Sequence, residues 1–285
     1  MGKTAIVTGG TCKDVSAMGT LAINIREVIQ DLADELVIFH DGIKMKEQQI
    51  IQDIFPTRFY EYKFPLDFFS MRRNRSLRYF SPMIFCKYEC FRLLEKYDRV
   101  IWSDYDVVIL KDLHELRENM SSFQIVEDNE PLKRMFLPNK DKADLSDYDL
   151  EQKGVCTPIF VITKELENYM ELYQWCIKST LKYAAYIDLP EQCIISMMVQ
   201  NFKIPYFNLL NQRYALHPRD YDGKASIVHA YGRPKFWEGL YNEQWERYYA
   251  CWIERGGSEY RRPLKERIIQ LKHELAMIRK GQSNK

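Results

Sequence analysis

R-V-I-W-S-D-Y-D-V-V-I-L, residues 99–110, is an apolar run of strand composition into which two aspartates, Asp104 and Asp106, are set. Burying two like charges without compensation costs several kcal/mol or forces one carboxyl to stay protonated. Two residues apart in extended chain, they project on the same side. A divalent cation removes the conflict by taking both as oxygen ligands. The competing reading puts both in a solvated turn after a short strand.

Working outward, residues 4–8 form an apolar run that stops at Gly9 and Gly10. Leu21, Ile25, Val28, Ile29 and Leu32 follow at helical spacing, and a second run, 35–39, stops at Asp41-Gly42. Strand, helix, strand predicts a βαβ unit and a parallel sheet. Helical spacing returns at Ile84, Tyr88, Phe91 and Leu94, just before the strand that opens the 99–110 run. Residues 122–126 and 155–163 read as strands, and 165–183 and 191–200 as helices. Residues 71–78 read as a basic loop, and 128–149 as a charged, flexible stretch.

Composition bounds the class. The chain has 285 residues, 46% apolar and 28% charged, enough to bury a sizeable core and too apolar for disorder. Forty-one Lys and Arg against 40 Asp and Glu leave +1, so no global field points to nucleic acid. The seven cysteines include no C-x-x-C pair, which fits neither a zinc ribbon nor a disulfide framework and predicts reduced thiols in the cytoplasm. The apolar run 5–7 is too short for a signal peptide, and no stretch approaches the roughly 18 to 20 apolar residues of a membrane span. Contact with a membrane is expected only at its surface.

That surface contact would come from the C-terminus, where the character changes after Gly256-Gly257. Residues 261–285 hold eight Lys and Arg against two Glu, a net +6 that leaves −5 on the rest. Leu264, Ile268, Leu271, Leu275 and Ile278 recur at steps of four and three, the stripe of an amphipathic helix. Such a helix lies on an anionic membrane, zips onto a partner, or packs on its own domain. The expected organisation is a domain over 1–255 and a basic amphipathic tail over 256–285.

A second segment, H-A-Y-G-R-P-K-F-W at residues 229–237, carries His229, Gly232 and Lys235. An imidazole can complete a mixed oxygen and nitrogen site, which Mn²⁺ accepts more readily than Mg²⁺; the competing reading, favoured for His229 taken alone, is a hydrogen-bonded structural histidine. Gly232 permits close backbone approach, and Lys235 offers a point charge for phosphate.

W-S-D-Y-D-V-V-I-L-K-D-L resembles the D-x-D region of family 8 glycosyltransferases, and H-x-x-G-x-x-K-x-W resembles that family's C-terminal metal and diphosphate motif. The two stand in the family's order, roughly 120 residues apart. The opening strand ends at Thr8-Gly9-Gly10, where the family's uridine-binding strand ends. The resemblance implies a GT-A fold: an α/β, Rossmann-like, mostly parallel central sheet flanked by helices. It also implies a Mn²⁺-dependent UDP-sugar donor, with Mg²⁺ as the substitute ion, and retaining transfer of a hexose to a glycan or glycolipid. By the same resemblance, Asp104, Asp106 and His229 are the metal ligands. Thr8, Gly9, Gly10, Lys87, Asp104, Tyr105, Gly232 and Lys235 lie along the nucleotide-sugar. Lys87 falls near a common donor-reaching arginine, and Lys235 neutralises the departing UDP. Glu191 and Gln192 match an acidic-plus-glutamine pair at the donor sugar, Glu191 on its hydroxyls and Gln192 facing the anomeric carbon.

Cys156-Thr157-Pro158 departs from the family's usual Asn-Ala-Gly, so the sugar's identity does not follow. Two rivals remain: a GT-A module without activity, and a short-chain dehydrogenase suggested by T-A-I-V-T-G-G-T and by Tyr231 four before Lys235. The second fails physically, because the next glycine after Gly10 is Gly19, and Gly232 and Pro234 interrupt the helix that would align Tyr with Lys.

Overall fold

A computed structural model describes residues 2–65, 74, 76–77 and 80–261. Most of the basic stretch 71–78 and nearly all of the tail helix therefore lie outside the described residues. The strands are β1 (Thr4–Gly10), β2 (Glu35–His40), β3 (Thr57–Glu61), β4 (Arg99–Ser103), β5 (Val107–Ile109), β6 (Phe123–Pro131), β7 (Lys153–Thr163), β8 (Phe207–Asn208) and β9 (Ile227–His229). Seven of them form one sheet in the order β3-β2-β1-β4-β7-β6-β8, and β5 pairs with β9 in a separate ribbon. In the large sheet β7 alone runs against the others.

β1 and β2 are buried at every position, covered on both faces, which is why their centres read as continuous apolar runs rather than alternating. Along β1, Ala5 and Val7 point into one core with Phe91, Trp102 and Phe160. Ile6 points into the other, with Met18, Leu21 and Trp252. The main helices are α1 (Val15–Val28), α2 (Met45–Ile54), α3 (Tyr169–Tyr183), α4 (Pro190–Asn201) and α5 (Glu243–Glu254). The turn into α1 is closed by a capping box in which Thr11 and Asp14 satisfy each other's backbone groups. α4 opens on Pro190, which lacks an N–H where none is needed. α1 and α5 approach closely because position 19 has no side chain: a Cβ on Gly19 would lie 2.3 Å from the Trp252 ring.

Two readings of the sequence change. The 99–110 run is not one strand: β4 stops at Ser103, and β5 leaves for the ribbon with β9. The aspartates sit in the bend between them, where Asp104 is only partly exposed and Asp106 is buried, so the turn is not the solvated one. The stretch 128–149 is also more ordered than its charge suggests. β6 continues to Pro131, and Leu132, Met135 and Phe136 are buried. These three apolar residues, scattered among charges, anchor the segment, and Leu132 and Lys133 donate to the carbonyls of Gln152 and Leu150 at 2.9 and 3.0 Å.

Candidate active site

The strand order sets the place. From β1 the chain builds outward through β2 and β3, then returns to lay β4 on β1's other edge. The crevice beyond the carboxyl ends of β1 and β4 is thus a topological switch point, where open α/β sheets bind ligands. β1 delivers Gly9 and Gly10 there, and β4 delivers Asp104, Tyr105 and Asp106. The ribbon supplies the third group. Val107 pairs with His229, and the Ala230 N–H donates to the Asp106 carbonyl at 2.9 Å, so the imidazole lies beside the two carboxylates.

One donor atom from each of Asp104, Asp106 and His229 lies within 4.8 Å of the other two. His229 Nε2 is 3.3 Å from Asp106 Oδ1 and 3.8 Å from Asp104 Oδ2. Donor atoms held about 2.1 Å from one ion stand roughly 3–4 Å apart, so the residues fit a divalent cation. The remaining carboxylate oxygens are engaged by lysines. Lys235 Nζ contacts Asp106 Oδ2 and donates to the Ala230 carbonyl at 2.7 Å. Lys87 Nζ is 3.0 Å from Asp104 Oδ1, which also accepts from Trp102 Nε1 at 2.8 Å.

Charge follows from this geometry. Burial pushes Asp104 above the ordinary carboxylate value, with Lys87 opposing and Asp106 adding to the rise. Burial acts the same way on Asp106, but His229 and Lys235 outweigh it and hold that carboxyl well below the usual range. Burial acts to lower Lys87, yet Asp104 and Glu191 keep its ammonium above the ordinary lysine value. The bend is a negatively charged cup braced by cations.

The other expected residues are spread around this cup. Glu191 and Gln192 open α4. Glu191 is buried, its Oε1 accepting from Lys87 at 2.8 Å and from the Thr157 hydroxyl at 3.0 Å. Gln192 is half-buried and donates to Asp128 Oδ2 at 2.8 Å. Tyr105 stacks on Trp237, with ring centroids 5.8 Å apart, and its hydroxyl bonds Asp14. Thr8 is fully buried, and among the described residues its hydroxyl finds no partner, so its side chain does not reach the crevice. Gly232 is exposed at φ 70°, a left-handed conformation that breaks any helix from Tyr231 to Lys235. That removes the alignment a dehydrogenase needs.

Sequence reasoning noticed Thr157 only as part of a departure from the family pattern, without its partners, and passed over Asp128, Asp14 and Asn24. Thr157 carried a signal, since Cys156-Thr157-Pro158 already stood out. The others are single polar residues in ordinary contexts. Asn24, buried on α1, accepts from the Ile109 N–H at 2.7 Å and donates to the Ile109 carbonyl at 2.8 Å, which fixes the ribbon against the helix.

Known structures share this architecture. The apo structure of the bifunctional glycosyltransferase WbbM superposes with a TM-score of 0.65 at 13% identity, over 89% of this chain and 51% of WbbM, so the chain spans about half of that protein. The galactosyltransferase LgtC, in complex with donor and acceptor sugar analogues, gives 0.64 at 14% identity, over 92% of this chain and 99% of LgtC. GlyE from Streptococcus pneumoniae TIGR4 gives 0.54 at 15% identity, over 89% of this chain and 64% of GlyE. At such identities the likeness establishes the fold, which is GT-A. No curated protein sequence matches significantly. The family model for Glycosyl transferase family 8 matches residues 9–240, a span that runs from the end of β1 past Lys235 and takes in both carboxylates and the imidazole. On the strength of that match across most of its length, the chain belongs to glycosyltransferase family 8.

Proposed function

We propose that this glycosyltransferase moves a hexose from a UDP-sugar to a hydroxyl of a glycan or glycolipid, with Mn²⁺ as its ion and Mg²⁺ as the substitute, and with retention of anomeric configuration. The observation that carries the reading is the convergence of Asp104, Asp106 and His229, donor atoms within 4.8 Å, with Lys235 on the same carboxylate. Asp104, Asp106 and His229 would hold the ion. When bound, it supplies positive charge to the donor's diphosphate. Placing positive charge where negative charge develops is commonly the largest catalytic contribution.

The chain's own groups do the rest. An ammonium has three donors. Lys235 uses one on Asp106 and one on the Ala230 carbonyl, and among the described residues the third has no protein partner, leaving it for a phosphoryl oxygen of the departing UDP. Gly232, without a side chain, lets backbone approach the same phosphates. Glu191 and Gln192 face the donor sugar from the start of α4, and exposed Tyr231 and Tyr241 offer rings to an acceptor. The tail holds the enzyme at an anionic membrane surface on the cytoplasmic side. No described helix is long and apolar enough to cross a membrane.

UDP release from UDP-sugars with Mn²⁺, measured beside the Asp106→Ala protein, tests the reading. The expected result is a loss of at least about 100-fold in the variant. Equal rates in both would assign the chain to a binding module instead.

A further inference from the structure

Cys156-Thr157-Pro158 is built into the site by its middle residue. Lys87 Nζ is 3.0 Å from Asp104 Oδ1, 2.8 Å from Glu191 Oε1, and 3.0 and 3.2 Å from the hydroxyl and carbonyl oxygens of Thr157. Its three protons face four internal acceptor atoms on three residues, so the ammonium has none left for a donor. It is a strut between two carboxylates. The Thr157 hydroxyl then gives its own proton to Glu191 Oε1 at 3.0 Å. Oε1 therefore accepts two bonds, while among the described residues Oε2 accepts none. Asp104 repeats the arrangement: Oδ1 accepts from Trp102 and Lys87, and Oδ2 faces His229. Each carboxylate keeps one oxygen tied down and the other available.

We infer that Thr157 is a positioning residue for donor selection: its hydroxyl locks Glu191 so that a single oxygen, Oε2, reads one hydroxyl of the donor sugar. The inference rests on the proposed role of Glu191. A carboxylate held by Lys87 alone can turn about its last torsion and present either oxygen, which blurs recognition. Held by two donors on one oxygen it presents a fixed acceptor, and a fixed acceptor discriminates between sugars whose hydroxyl points toward it or away. Thr157 is 2% exposed, so it acts through Glu191 and not by touching the sugar.

The test uses the full chain with Mn²⁺ and three probes: UDP, UDP-glucose and UDP-galactose, the last two differing only at one hydroxyl. Thr157→Val keeps the volume and removes the hydroxyl, Thr157→Ala is a second variant should the first misfold, and Thr157→Ser restores the donor. Calorimetric Kd values and kcat/KM are read for each. The wild type is expected to prefer one sugar. The Val or Ala protein should bind UDP within about twofold of wild type, bind the preferred UDP-sugar about tenfold more weakly, and show a preference about tenfold smaller, with Ser restoring it. The inference is overturned by an unchanged preference in the variants, by equal binding of both sugars to the wild type, or by a loss of UDP binding as large as that of UDP-sugar binding, which marks a purely structural role. A wild type that binds neither UDP nor UDP-sugars overturns the proposed function and takes this inference with it.

Discussion

Replacing Lys235 with methionine should make the protein grip its ion more tightly and work more slowly. Lys235 contacts Asp106 with side chains 22% and 12% exposed. Removing one partner of a fully buried pair costs about 3–5 kcal/mol. Water reaching Lys235 screens part of that, so about 2 kcal/mol is expected here. At roughly 2–4 °C per kcal/mol, the metal-free variant should melt about 4–8 °C below wild type. Lys235 also competes with a divalent cation for Asp106. Without it Mn²⁺ should bind about tenfold more tightly, equivalent to about 1.4 kcal/mol, and saturating Mn²⁺ should restore most of the lost stability. Turnover should nevertheless fall about 10²–10³-fold, because the Lys235 ammonium no longer donates to the departing diphosphate. Thermal melts across a Mn²⁺ series, read beside kcat for UDP release, give both numbers. Weaker Mn²⁺ binding in the variant, or undiminished kcat, would refute the assignment of Lys235 to these two tasks.

Two further outcomes can be read on other parts of the molecule. His40 is buried, and its Nδ1 accepts from the backbone N–H groups of Gly42 and Ile43 at 3.0 and 3.1 Å, which requires an unprotonated nitrogen. Burial holds its value below the ordinary histidine range despite Glu61 and Asp41. Its contribution to stability should therefore be complete above about pH 6.5 and be lost as pH falls below that, and His40→Asn should flatten the slope of urea-unfolding stability between about pH 7 and pH 5. Deleting residues 262–285 should abolish sedimentation with anionic liposomes at low salt and leave UDP release on a soluble acceptor within about twofold; undiminished sedimentation would reject the tail as the membrane contact.

Much of the fold could be read because local pattern and tertiary context agree. The runs at 4–8 and 35–39 are continuously apolar at their centres, Ala5 to Val7 and Leu36 to Phe39, the mark of a sheet buried on both sides, and β1 and β2 lie there in parallel. Asp104 and Asp106 stood out because carboxylates in an apolar run are costly and call for a compensating partner, whereas His229 joined them only through the resemblance of its H-x-x-G-x-x-K-x-W segment to the family motif. What local pattern could not show is the break of the 99–110 run into two sheets, since the choice between continuing β4 and starting β5 depends on β9, far along the chain. The same limit hid the Lys87, Thr157 and Glu191 triangle, whose members stand 70 and 34 positions apart. Nothing about a lysine among apolar neighbours says where its protons go.

The Asn24 carboxamide presents one donor and one acceptor to the backbone of Ile109, as a neighbouring strand's peptide group would. It is a surrogate strand one residue long. By closing that edge of the ribbon it denies a docking template to foreign chains. It also ties α1, the helix that follows β1, to the strand that leaves the bend bearing Asp106.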